Sequence, residues 1–128
     1  MKSNIRRILP DQRTVLDGPP DSPFRREQYV GDDNVWIGEV MTEPGGATPW
    51  HHHGEHTTYA YLLEGEATVE FGAAGGERTV LQAGGGLGVV PPHLIHREIN
   101  TGSAPNRILI MRVGEGPPVI PASGPASD

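Results

Sequence analysis

All six histidines of this chain fall in two short segments, Trp50-His51-His52-His53-Gly54-Glu55-His56 and Pro91-Pro92-His93-Leu94-Ile95-His96. Neutral imidazole is a good ligand for zinc, iron, nickel and copper, and three imidazoles are a usual protein contribution to a catalytic site with an open position. On a strand, the two-residue period sends His51 and His53 to one face and His52 to the other. An antiparallel return then brings His96 across from the first pair. Metal binding is the leading chemistry these residues imply. His56 follows His53 by three residues, off the strand period. A bulge at Gly54-Glu55 would re-aim it inward as a fourth ligand, and a capping or supporting role is the alternative. Glu55 and Glu98 are the nearby carboxylates. Glu98 shares parity with His96 and Asn100, which makes it the candidate catalytic group for proton transfer, with pairing to Arg97 or Arg78 as the plainer reading.

The elements that must position these residues are short and strand-like. Val35–Met41, Tyr59–Leu63, Ala67–Phe71, Arg78–Leu81, Leu87–Val90, His96–Asn100 and Ile108–Val113 alternate with turns rich in Gly, Pro or polar residues. Such spacing, with no convincing amphipathic helix, predicts an all-β sandwich or barrel over residues 32–114. Residues 1–31 carry Pro10, Gly18-Pro19-Pro20 and Pro23 and read as an N-terminal arm with at most a short strand at Thr14-Val15-Leu16. Residues 115–128 read as a surface-bound or mobile C-terminal tail. Trp36 and Trp50 are expected to anchor packing, and Tyr59 and Tyr61 to pack between sheets or subunits. His93 is expected to face solvent in a turn that does not demand positive φ. The Gly84–Gly86 run is not a phosphate loop, because no Lys-Ser/Thr and no helix follow it.

Composition narrows the function classes. Ten Lys and Arg against sixteen Asp and Glu give a net charge of -6, so no basic surface is available to nucleic acid. Without cysteine, disulfides and thiol catalysis are excluded. No apolar stretch is long enough to span a bilayer, and the basic start reaches Pro10-Asp11 before a signal-type apolar core forms. The expectation is a cytoplasmic protein with no membrane partner. A core this small also favours a homodimer, built through outer strands and the arm.

The two histidine segments resemble the paired motifs of the cupin superfamily. The first, G-x5-H-x-H-x3-4-E-x6-G, falls on Gly45, His51, His53 and Gly65, with Thr58 at the glutamate's position. The second, G-x5-P-x-G-x2-H-x3-N, falls on Gly85, Pro91, His96 and Asn100, with His93 where glycine is usual. The resemblance implies a double-stranded β-helix, or jelly-roll barrel, holding a divalent transition ion (Fe, Mn, Ni, Zn or Cu) on His51, His53 and His96. Thr58 is a poorer ligand than a carboxylate. Three arrangements therefore stay open: three histidines with waters, three histidines joined by another side chain such as His56, or a barrel without metal. The function implied is a metal-dependent enzyme on a small-molecule substrate, dioxygenase-like first. A lyase, isomerase or cyclase, or a non-enzymatic small-ligand binding or sensing cupin, is the alternative.

Overall fold

The protein, described here as a computed structural model over residues 4–16, 18 and 21–127, is built from two antiparallel sheets. The first three residues of the basic start, Asp17, the Pro19-Pro20 pair and Asp128 lie outside those residues. Among the described residues eleven strands follow in chain order: β1 Thr14–Leu16, β2 Phe24–Gly31, β3 Val35–Thr42, β4 His51–His52, β5 Thr57–Glu64, β6 Glu66–Phe71, β7 Glu77–Gln82, β8 Gly88–Val90, β9 His96–Ile99, β10 Asn106–Val113 and β11 Ile120–Pro121. One sheet has the order β1-β2-β3-β10-β5-β8 and the other β11-β4-β9-β6-β7. This is the all-β jelly-roll barrel that the sequence predicts.

Alternation along β5 and β10 builds the core. Ala60, Leu62, Ile108 and Ile110 point inward and are buried, joined by Val40 from β3 and Ala67 from β6, while Tyr61, Met111 and Val113 point out and stay exposed. Truncating Leu62 or Ile108, each 2% exposed, to alanine would cost about 2–5 kcal/mol through lost transfer energy and cavity formation. Asn100 closes the loop after β9: its Nδ2 donates to the carbonyls of Thr42 (2.8 Å) and Ala104 (2.9 Å), and its Oδ1 accepts from Gly102 N–H.

Two of the strands, β2 and β11, are ones that the sequence did not announce. The arm contains the expected β1 and also the eight-residue β2, which pairs with both β1 and β3. Its side chains include Arg26 and Gln28, so it carries no apolar alternation to announce it. The arm is fastened to the sheet by a buried carboxylate. Glu39, 3% exposed, is paired with Arg13 Nη1 (2.7 Å) and Arg107 Nε (2.6 Å) and accepts from Tyr29 Oη (3.0 Å); burial of that charge demands such partners. The second unforeseen strand, β11, belongs to the tail and pairs with β4, Ile120 opposite His52 and Pro121 opposite His51. The tail is thus part of the second sheet. Among the described residues no helix is long and apolar enough to cross a membrane.

Candidate metal centre

Strand pairing puts the histidines together. His51 on β4 is directly opposite His96 on β9, their ring centroids 4.5 Å apart. His53 follows the end of β4, its ring 4.9 Å from that of His51 and 5.0 Å from that of His96. One nitrogen from each of the three lies within 4.8 Å of the others. The remaining nitrogens are committed to backbone carbonyls: His51 Nδ1 to Pro49 (2.7 Å), His53 Nδ1 to Pro118 (2.8 Å) and His96 Nδ1 to Leu94 (2.8 Å). A carbonyl oxygen only accepts, so each Nδ1 carries the proton and each Nε2 keeps its lone pair. That tautomer is the one a metal-ligating histidine needs. His96 Nε2 is buried without a hydrogen-bond partner, a costly state for a polar atom unless an ion takes the lone pair. The donor set fits a divalent transition ion held by three imidazoles.

Burial keeps His51 and His53 neutral. Desolvation, aided by the Arg112 guanidinium, pushes His53 down to about 2. His51 is also lowered, first by burial. Both rings are therefore uncharged at neutral pH and free to ligate.

His56 stands outside the three-histidine group. Residues 53–56 form a tight turn closed by His56 N–H to His53 carbonyl (3.0 Å), with Gly54 at φ +55°, instead of the bulged strand that would have aimed His56 at the other three. Its Nδ1 lies 3.0 Å from the same carbonyl, to which it donates, and the ring lines a separate cavity with Asp32, Trp36 and Glu115. His52 Nδ1 accepts from Gly54 N–H (3.0 Å). His93 is exposed, as expected, but sits at φ +64°; contrary to expectation, the turn takes positive φ at this position. Thr58 is 1% exposed and its Oγ1 has no partner.

A cavity of about 190 Å³ lies between the sheets. One wall comes from β2, β3 and β10 through Phe24, Arg26, Val40, Ile110 and Arg112; the other includes His51, Glu98 and Trp50, with Val119 and Pro121 from the tail. Glu98, the candidate catalytic carboxylate, thus faces the same space as His51. It pairs with neither Arg97 nor Arg78, both of which bind Glu70, at 2.7 and 3.5 Å. Arg97 also stacks over Trp50, 4.9 Å from the ring centroid.

Sequence reasoning missed the two arginines. Arg112 shares the inward parity of Ile108 and Ile110, a signal that was present in β10. Arg26 was hidden with β2. Arg112 rests over the Trp36 ring (5.0 Å to the centroid), and that indole in turn occupies the space that a Cβ at Gly38 would need. Trp36 Nε1 donates to Gln28 Oε1 (2.8 Å). Burial lowers Arg112 to about 10, so it remains a cation at neutral pH.

Residues 38–112 match the profile of the cupin domain, and the chain belongs to that family. Among solved structures it is similar to an uncharacterized conserved protein with a double-stranded β-helix domain from Klebsiella pneumoniae, at 20% identity over 95% of this chain and 99% of that one, with a TM-score of 0.71. Oxalate oxidase in complex with the substrate analogue glycolate matches at 26% identity over 68% of this chain but 45% of its own, with a TM-score of 0.58. A sugar phosphate isomerase from Silicibacter pomeroyi matches at 16% identity over 84% and 75% of the two chains, with a TM-score of 0.69. No curated protein matches the sequence.

Proposed function

We propose that this cupin is a metal-dependent enzyme acting on a small oxygen-bearing or anionic organic molecule, with dioxygenase-like oxidoreductase chemistry as the first reaction class. The observation that carries the reading is the set of three imidazoles, each with Nδ1 tied to a backbone carbonyl, beside a cavity that His51 and Glu98 both line. A divalent Fe, Mn, Ni, Zn or Cu ion held there would supply Lewis-acid polarisation of a substrate oxygen. His51, His53 and His96 hold the ion, and the carbonyls of Pro49, Leu94 and Pro118 fix their orientation. Glu98 takes or returns a proton at a carboxylate oxygen facing the cavity. Phe24, Val40, Trp50 and Ile110 exclude water and raise the strength of every charge interaction inside. Oxalate oxidase, an oxidoreductase seen with glycolate, supports the class.

Thr58 favours a second reading. A neutral hydroxyl where the motif has a carboxylate suits a barrel that binds a small ligand without turning it over. Metal content after mild purification, followed by oxygen-uptake and anaerobic lyase and isomerase assays with each metal form, separates the two. Aerobic turnover lost in His51→Ala supports the enzyme. Tight ligand binding without turnover in any metal form overturns it.

The homodimer belongs to the same proposal. Its support is a cross-strand row on the outer sheet face, Ile37, Met111, Tyr59 and Val89, aligned by strand register, with Met111 and Val89 exposed. Light scattering on Met111→Glu should report a smaller particle than the parent.

A further inference from the structure

We infer that the ligand of this cavity carries a carboxylate, bound by Arg112 and Arg26, with the rest of the molecule reaching toward His51 and Glu98. That this ligand is a substrate rests on the enzymatic reading above; the anion site itself does not.

Arg112 is 9% exposed, and its Nε is buried with no hydrogen-bond partner. Arg26 lines the same cavity. Among the described residues neither guanidinium has a carboxylate within 4.0 Å. The residue opposite Arg112 on β5 is Thr58, a neutral hydroxyl. A packing role over Trp36 would be served better by an apolar side chain, because a buried cation without an anion carries its full desolvation cost. Two such cations on one wall also repel each other. Glu98 attracts Arg112 from a distance but neutralises at most one of the two positive charges, so the cavity keeps a net positive charge.

The chemistry of the missing partner follows. A carboxylate matches the planar fork of a guanidinium and accepts two parallel hydrogen bonds from it. The apolar surroundings of Phe24, Val40, Ile110 and Val119 call for a hydrocarbon or aromatic body, and the small volume limits that body to a short chain or a single ring. The two arginines come from one sheet, while His51 and Glu98 come from the other. An acid held by its carboxylate at the first wall therefore presents its other end to the second.

The test is a calorimetric titration of the full chain, both chelator-stripped and zinc-loaded, with acetate, isovalerate, benzoate and phenylacetate, each paired with its neutral amide. At least one acid should bind the stripped protein about ten- to a hundredfold more tightly than its amide. Arg26→Gln and Arg112→Met should each erase most of that preference, and Arg112→Lys should restore part of it. Acids and amides binding alike, no acid binding in either form, or a preference untouched by the Arg26 and Arg112 variants overturns the inference. Arginine-dependent acid binding in a protein that takes up no metal would leave the anion site standing and remove the metal enzyme. Metal uptake with no acid preference would do the reverse.

Discussion

His53 Nδ1 donates to the carbonyl of Pro118 over 2.8 Å, joining residues 65 positions apart in the chain. The C-terminal segment therefore orients an imidazole of the candidate metal centre. Pro121 from the same segment pairs opposite His51 and, with Val119, walls the cavity.

Removal of residues 116–128 should weaken zinc affinity by about 10- to 100-fold, the usual cost of losing a group that orients a ligand. Competition against a colorimetric zinc chelator measures it. Unchanged affinity would show that His53 needs no support from the tail.

Much of this was legible in the sequence. Glycine-bounded apolar runs located β3, β5 to β8 and β10, and the spacing of two histidine segments brought His51, His53 and His96 into one group. Local patterns did not reach β11, because Ile120-Pro121 becomes a strand only through pairing with β4. Nor did they reach β2, where Arg26 lines the cavity and Gln28 accepts from the Trp36 indole on a strand that would otherwise show apolar alternation. The place of His56, outside the group of three, was not legible for a related reason. Parity cannot be carried across Gly54-Glu55, where the chain reverses in a turn.

The separation of His56 from the other three has a direct consequence for metal content. His51→Ala and His96→Ala should each reduce bound metal to below about a tenth of an equivalent, since each removes one imidazole of the three that lie close enough to share an ion. His56→Ala should leave stoichiometry intact and lower stability by about 1–3 kcal/mol, because a buried group loses its hydrogen bond to His53 carbonyl. Elemental analysis and urea melts on the three variants check both halves. Loss of metal in His56→Ala alone would return it to the ligand set.

Acid should destabilise the metal-free protein. His53 lies at about 2 when folded against 6.5 ordinarily, and His51 is lowered as well. Below about pH 6.5 the unfolded chain binds protons that the folded state refuses, so stability falls with pH, by up to about 1.4 kcal/mol per unit for each such group. Above that pH both states are neutral and the contribution is flat. Urea melts of stripped protein from about pH 8 to pH 4 should show this slope, and His53→Phe should flatten it. An unchanged slope in that variant would place the acid sensitivity elsewhere.

His93 supplies a backbone test of the second motif. At φ +64° it occupies a conformation that glycine and asparagine adopt at little cost and that β-branched residues resist. Its Nε2 lies 2.9 Å from Glu55 Oε1, but both side chains are more than half exposed, so the pair contributes at most about 1 kcal/mol. His93→Asn and His93→Gly should therefore melt within about 1 kcal/mol of the parent, the lost contact with Glu55 offsetting relief of the backbone. His93→Val should lose about 1–2 kcal/mol from strain in addition to the lost pair. The turn leads directly to Leu94, whose carbonyl holds His96 Nδ1. Zinc affinity should accordingly fall in His93→Val and hold in His93→Gly. Equal stability and zinc binding across all three variants would mean that the chain does not pass through the left-handed region at this position.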